Sequence, residues 1–209
     1  MSARTVAGIL LTGGSSRRMG VDKASLGVDA QPMAERIGAV LAAFGTPVLE
    51  VGPGPGLPSI QEPEPGRGPL VALGAAVREL RRVGAIGPAV VLACDLPLVN
   101  REVVELLVHW AGRWCGGPAC AGMGQPLCTR WAVADLMAGE RGLESGKRSL
   151  KGLPGVAGAT LLTEKDWGHV GTEKTFGDAD RRSDLMALGV TAGLEDPNTG
   201  RPDGGPLWN

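Results

Sequence analysis

Short apolar runs recur along the first half of the chain and alternate with longer amphipathic segments. The runs are residues 6–11, 47–51 and 89–93, and each is bounded by glycine, proline or polar residues, as buried strands are. Residues 32–44 and 69–83 repeat apolar side chains at spacings of three and four, and each begins with a proline suited to a first helical turn. This alternation predicts a β-α-β-α-β unit with a parallel sheet.

The pattern continues beyond the third run and then weakens. Residues 101–114 carry apolar side chains on one side and predict a third helix. Residues 116–131, residues 156–162 and the neighbourhood of Phe176 are expected to add strands, and residues 181–188 a last helix. The fold class predicted is therefore α/β, with helices on both faces of a mostly parallel sheet.

Length and composition favour one domain. A chain of 209 residues with 43% hydrophobic content can bury one sizeable core, which we expect to extend over residues 1–190. Residues 191–209 are dense in glycine and proline without apolar periodicity, which is typical of a flexible tail.

Charge and cysteine usage exclude several classes of function. The net charge of −1 gives no overall field for drawing the chain onto nucleic acid or a membrane, so neither is expected as a partner. The four cysteines form no C-x-x-C pair, which argues against zinc and disulfide frameworks. No apolar stretch is long enough to span a membrane, and the first residues lack a cleavage site, so a cytoplasmic protein is expected.

A glycine-rich segment with basic residues follows the first apolar run directly. A glycine turn at the carboxyl end of a parallel strand lets successive backbone N–H groups converge on phosphate oxygens. Composition alone favours an ordinary polar turn, and a P-loop is excluded because Lys23 follows Asp22 and precedes Ala24. The residues in question are Thr12, Gly13, Gly14, Ser16, Arg18, Met19, Gly20, Asp22 and Lys23.

Asp95 follows the third apolar run and is therefore expected at the same sheet edge as the glycine segment. An aspartate at a strand end often caps the next helix, but Asn100 stands ready to cap the helix predicted near Arg101. Asp95 would then be available to a metal ion. Mg²⁺ suits such a site, because it binds one or two carboxylates together with phosphate oxygens and water.

The ordered string from Gly13 to Lys23 resembles the opening motif of the MobA-like nucleotidyltransferases. Residues 31–36, 68–73, 94–97 and 125–127 continue the resemblance in family order. It implies a Rossmann-like nucleotidyltransferase fold with a nucleotide-binding half (1–115) and an acceptor-binding half (116–190). It also implies Mg²⁺ on Asp95, catalytic roles for Arg18, Lys23 and Asp95, and nucleotide contacts from Leu11, Thr12, Gly13, Gly14, Ser16, Arg18, Lys23, Glu62 and Asp95.

Within that family the chain is most similar to the molybdenum cofactor guanylyltransferases. The resemblance implies GTP as donor and molybdopterin or the molybdenum cofactor as acceptor, with molybdoenzymes or their chaperones as further partners. Transfer to a phosphate needs no histidine base, because a phosphomonoester with a second pKa near about 6 is already largely ionised at neutral pH. Cytidylyl or sugar-phosphate transfer, and a catalytically silent nucleotide-binding module, remain alternatives.

Two positions depart from the family pattern. Glu62 stands where the family has an aspartate near the base, and it is either a guanine contact or a solvated loop charge. Residues 176–182 lack the usual Thr-Pro, so Asp180 either approaches the metal or lies in an exposed turn. On the acceptor side, Gln125 and the basic residues are either phosphate contacts or a solvated face. The basic residues are Lys147, Arg148 and Lys151.

Overall fold

The computed structural model describes residues 6–13, 27–28, 31–52, 57–61, 67–110, 115–120, 123–136, 150 and 160–190. The strands are β1 (Ala7–Leu11), β2 (Gly27–Val28), β3 (Gln31–Pro32), β4 (Val48–Val51), β5 (Ser59–Ile60), β6 (Pro88–Ala93), β7 (Cys115–Cys120), β8 (Met123–Gly124), β9 (Cys128–Ala132) and β10 (Thr160–Leu162). The helices are α1 (Met33–Ala42), α2 (Pro69–Arg82), α3 (Arg101–His109), α4 (Glu164–Trp167) and α5 (Arg182–Leu188), and Glu173–Phe176 form a 3₁₀ helix.

The main sheet has the order β10-β7-β9-β6-β1-β4-β5 in the described part of the chain. Strands β6, β1, β4 and β5 run parallel, and β9 is antiparallel to β6. Leu11 lies opposite Val51 on one side and Ala93 on the other, so these three strands end together. The predicted α/β fold with a mostly parallel sheet is confirmed, and the shared edge is where such sheets place ligands.

Apolar side chains cover both faces of the sheet, because successive strand residues point to opposite sides. In β1, Ile9 belongs to the core beneath α2, whereas Leu10 belongs to the core beneath α1 and α3, and both are fully buried. This double burial explains why the parallel strands are continuous apolar runs.

The predicted helices and strands are confirmed in the parallel region. The strands expected within residues 116–131 and 156–162 and the helix expected at 181–188 are also present, as β7 to β9, β10 and α5. Two other expectations need correction. The third helix ends at His109, earlier than predicted, because the backbone leaves helical geometry at Trp110 (φ −56°, ψ 121°). The expectation of a strand near Phe176 is wrong, since this residue ends the 3₁₀ helix. No helix within the described ranges is long and apolar enough to cross a membrane. The predicted tail lies outside the described residues.

Candidate nucleotide-binding site

The glycine segment starts on a backbone anchor at the end of β4. The carbonyl oxygen of Val51 accepts hydrogen bonds from the N–H groups of Thr12 (2.9 Å) and Gly13 (3.2 Å) and from the Thr12 hydroxyl (3.2 Å). Thr12 is buried and Gly13 is exposed. The chain therefore leaves the core at Gly13 with its direction fixed by the neighbouring strand.

Gly52 makes the close approach between these two strand ends possible. Its φ of +123° lies in the region that only glycine adopts easily. A Cβ atom at this position would collide with the backbone nitrogen of Gly13 and lie 2.8 Å from Thr12 Oγ1. Gly52 thus packs directly against the start of the glycine segment, and residues 53–56 lie outside the described ranges.

Asp95 lies at the same edge, next to the end of β1. The N–H group of Cys94 donates to the carbonyl oxygen of Leu11 at 3.0 Å, so the residue before Asp95 is bonded to the residue before Thr12. The prediction for Asn100 is confirmed: it is the N-cap of α3 and accepts from Val103 N at 2.9 Å. The cap of α3 therefore does not require Asp95.

Two hydrogen bonds from distant segments hold the turn that carries Asp95. Arg36 of α1 donates from Nη1 to the carbonyl oxygen of Pro97 at 2.8 Å. The N–H group of Ala179 donates to the carbonyl oxygen of Asp95 at 2.8 Å. The half-buried aspartate is thus fixed through its backbone from both sides.

A side-chain acceptor stabilises the start of α5, the helix that follows the segment without Thr-Pro. Asp184 accepts at Oδ2 from the N–H groups of Asp180 (2.9 Å) and Arg181 (2.6 Å), which satisfies donors at the beginning of α5. This tightens the turn whose Ala179 bonds to Asp95. Asp178 is exposed, and the bond from Ala179 brings the backbone of residues 178–180 alongside that of Asp95.

Gln125 links the turn before β9 to the same neighbourhood. Its Nε2 donates to the carbonyl oxygen of Phe176 at 2.9 Å, and its Oε1 accepts from Leu127 N at 3.2 Å. Both ends of the amide therefore hold protein backbone. The basic residues expected beside it, Lys147, Arg148 and Lys151, lie outside the described residues.

The structure brings together four of the predicted site residues, Leu11, Thr12, Gly13 and Asp95, at the shared strand edge. The others, Gly14, Ser16, Arg18, Lys23 and Glu62, lie outside the described residues. Sequence reasoning missed Gly52, and it missed Glu50, a fully buried acid in β4. The signal for Glu50 was an acidic residue inside an apolar run.

The donor set at this edge fits one kind of metal site. Within the described ranges no group of three His, Cys, Asp or Glu side chains is placed to enclose a metal ion. A single strand-end carboxyl group such as that of Asp95 fits a Mg²⁺ ion that takes its other ligands from phosphate oxygens and water. A protein-only cage, of the kind that Zn²⁺ or Ca²⁺ prefers, does not match these residues.

The family model described as MobA-like NTP transferase domain matches residues 8–156. The chain belongs to this family. The match spans the glycine segment, Asp95 and strands β7 to β9, and it confirms the resemblance drawn from the motifs. The predicted enzyme class, a nucleotidyltransferase, is that of the MobA-like family.

Two relatives from mycobacteria carry the name "probable molybdenum cofactor guanylyltransferase". The one from Mycobacterium avium (strain 104) is 40% identical over 114 residues, which are 51% of this chain and 57% of that protein. The one from Mycobacterium tuberculosis (strain H37Rv) is 36% identical over 114 residues, which are 51% of this chain and 56% of that protein. The similarity thus extends over little more than half the length of each relative.

Solved structures of nucleotidyltransferases share the fold. Molybdopterin-guanine dinucleotide biosynthesis protein A from Archaeoglobus fulgidus superposes with a TM-score of 0.68 at 22% identity, covering 88% of this chain and 96% of that one. A 2-C-methyl-D-erythritol 4-phosphate cytidylyltransferase from Thermus thermophilus gives a TM-score of 0.58 at 16% identity, covering 88% and 97%. These likenesses confirm the predicted nucleotidyltransferase fold.

Proposed function

We propose that the protein transfers GMP from GTP to the phosphate of molybdopterin, forming a guanine dinucleotide cofactor and pyrophosphate. The observation that carries the proposal is the junction of strand ends, where Cys94 N bonds to Leu11 O and so sets Asp95 beside Thr12 and Gly13. This junction supports the proposal, because the reaction requires a phosphate-binding turn and a metal-binding carboxyl group at one edge of the sheet. The names of the mycobacterial relatives support a guanine nucleotide as the donor and the molybdenum cofactor as the acceptor.

In the reaction proposed, the acceptor phosphate attacks the α-phosphorus of GTP in line and pyrophosphate leaves. Lys23 neutralises the α-phosphate, and Arg18 neutralises the leaving group. No histidine is required, and both His109 and His169 are exposed on the surface. The protein's main task is to bring two anions together and stabilise the charge that develops between them.

Asp95 is the residue that would hold a Mg²⁺ ion, and Asp180 is a candidate second ligand because its turn is bonded to Asp95 through Ala179. When bound, the ion supplies charge neutralisation at the phosphate oxygens. The backbone bonds to Arg36 and Ala179 keep the Asp95 turn oriented without using its side chain.

Thermal unfolding with each of the four nucleoside triphosphates and Mg²⁺ tests the nucleotide. A ligand that binds only the folded state stabilises it by RT ln(1 + [L]/Kd), or about 2.7 kcal/mol at a hundredfold excess over Kd. We expect GTP to raise the midpoint most. An equal rise with CTP would favour cytidylyl transfer, and no rise with any triphosphate would contradict nucleotide binding altogether.

Pyrophosphate release then tests the acceptor. With GTP and Mg²⁺ present, release should require molybdopterin and should be accompanied by a guanine dinucleotide product detectable by mass. Release stimulated instead by a sugar phosphate would place the activity elsewhere in the superfamily. GTP binding without release in the presence of either acceptor would support a silent nucleotide-binding module.

A further inference from the structure

Glu50 is a buried acidic residue to which the proposed reaction gives no role. It stands in β4 between Leu49 and Val51, and none of its surface is exposed. Its Oε2 accepts from the N–H group of Leu57 at 3.1 Å, and its Oε1 has no hydrogen-bond partner in the described part of the chain. Burying a carboxyl group without full hydrogen bonding is costly, so its presence calls for a benefit elsewhere.

The carboxyl group of Glu50 holds the start of the segment that becomes β5. The backbone N–H of Glu50 also donates to the carbonyl oxygen of Pro58 at 3.1 Å, and Gly52 N donates to Ile60 O at 3.2 Å. β5 then pairs with β4 in parallel, with Ser59 opposite Glu50. Glu50 thus binds the returning chain through both its side chain and its backbone.

A second contact fixes the same segment against α1. The side chain of Leu57 lies over Gly38, where a Cβ atom would come within 2.9 Å of Leu57 Cδ1. Leu57 is therefore held between the glycine in α1 and the carboxyl group of Glu50. These contacts place β5 on the outer side of β4, whose end anchors Thr12 and Gly13.

We infer that Glu50 is a positioning residue for nucleotide recognition: its buried carboxyl group fixes β5 as the wall of the site on the side away from Asp95. Asp95 follows β6, on one side of β1, and β5 lies beyond β4 on the other. If the triphosphate crosses Gly13 towards Asp95, the base extends towards β4 and β5. The inference rests on the proposed function, since it assumes that a nucleotide occupies this edge.

Matched substitutions at residue 50 separate positioning from general stability. Glu50→Met keeps an unbranched side chain but removes both acceptors, whereas Glu50→Gln keeps an oxygen for Leu57 N–H. Glu50→Met should weaken GTP binding roughly three- to tenfold, the effect of about one net hydrogen bond, with kcat near the wild-type value, and Glu50→Gln should restore most of the affinity. Equal losses in both variants, or no loss in Glu50→Met, would overturn the inference.

Thr129→Val controls for the loss of any buried hydrogen bond in this sheet. Thr129 is buried and accepts from Trp131 Nε1 at 2.7 Å, on β9 rather than beside β5. Its substitution should leave the Kd for GTP unchanged. A loss of GTP affinity equal to that of Glu50→Met would mean that Glu50 acts only through stability.

Hydrogen exchange on peptides covering residues 57–61 gives a readout that does not depend on the reaction. In the ligand-free protein these amides should exchange faster in Glu50→Met than in wild type or Glu50→Gln, and unchanged exchange would overturn the positioning role even if no nucleotide binds. In wild type, GTP with Mg²⁺ should protect residues 57–61 and tripolyphosphate should not. Equal protection by both would show that β5 contacts no base, whereas failure of wild type to bind any triphosphate would refute the proposed function instead.

Discussion

The parallel strands around β1 and the segment from α4 to α5 both contribute to the neighbourhood of Asp95, but they are secured differently. β1, β4 and β6 are buried on both faces by apolar side chains from α1, α2 and α3. The later segment inserts Trp167 and Phe176 into the core beneath α1 and α3, with ring centroids 5.0 Å apart, and packs Ala179 and Leu185 against Val28 and Met33. Single polar bonds to Asn100, Asp95 and Gln125 also attach it.

This difference suggests that the parallel region supplies the stability of the domain and that the later segment positions the turn next to Asp95. Loss of an apolar side chain in the parallel region should affect the whole domain, because many neighbours lose contacts and a cavity remains. Loss of one polar bond in the later segment should loosen a local turn and leave the rest folded. Substitutions in the two regions can therefore test which property each one supplies.

The largest effect is expected at the boundary between the two regions. Asp95→Asn should lower kcat for pyrophosphate release at least about 100-fold, by analogy with the loss of one preorganised electrostatic contact, and should weaken the response to Mg²⁺. Its unfolding should stay close to that of wild type. As a control, Asp166→Asn, the same substitution in α4, should keep full activity. Near-normal turnover by Asp95→Asn would contradict the metal-binding role.

Leu73→Ala tests the apolar region. Leu73 of α2 is 1% exposed in the core beneath the sheet, so the substitution should lower the free energy of unfolding by about 3 kcal/mol in urea. Met186→Ala, at a side chain that is 77% exposed on α5, should stay within about 0.5 kcal/mol. Similar losses in the free energy of unfolding for the two variants would contradict the expected difference between the buried and the exposed side chain.

Gln125→Ala tests the polar attachment and should have a smaller effect. It removes one bond to Phe176 O and one from Leu127 N, for a loss of about 1–2 kcal/mol. Exchange should rise in peptides covering residues 173–177, while the Kd for GTP stays unchanged. Gln125→Glu keeps an acceptor for Leu127 but not the donor for Phe176, so protection of residues 173–177 in that variant would assign the attachment to apolar packing instead.

The smallest effect concerns the start of α4 and depends on pH. Hydrogen bonds from the backbone N–H and hydroxyl of Thr163 lower the pKa of Asp166. Because the folded-state pKa is depressed, the stabilisation is complete above the ordinary aspartate range and is lost as pH falls through the lowered pKa. The difference in unfolding midpoint between wild type and Asp166→Asn should therefore shrink on acidification, and a difference independent of pH would contradict this cause.

The fold of the parallel region was predictable because its determinants are local and periodic. The apolar runs gave β1, β4 and β6, Pro69 marked the first turn of α2, and Asn100 marked the cap of α3. The structure of the later segment was harder to predict from the sequence, because α4 and the 3₁₀ helix are single turns whose side chains pack on distant residues. Such short elements contain too few residues to show a hydrophobic period.

Some features of the candidate site were likewise predictable from the sequence, and others were not. The order of residues in the glycine segment and the position of Asp95 after a strand pointed to a shared edge, which the bond between Cys94 and Leu11 confirms. Gly52 and Glu50 were not recognised, because their significance lies in contacts with Gly13 and Leu57. A single sequence does not reveal that a glycine faces another backbone, or that a buried acid bonds to an N–H group further along the chain.

The anchor at Val51 has a consequence for how such enzymes can be diversified. Three donors meet one main-chain oxygen, so the link between the ends of β1 and β4 uses no side chain of residue 51. Gly52, with its φ of +123°, and the hydroxyl of Thr12 tie the link to particular amino acids. Under the proposed function, we therefore expect that segments after Gly52 can be exchanged between relatives to alter base preference, while the segment that begins at Thr12 is kept unchanged.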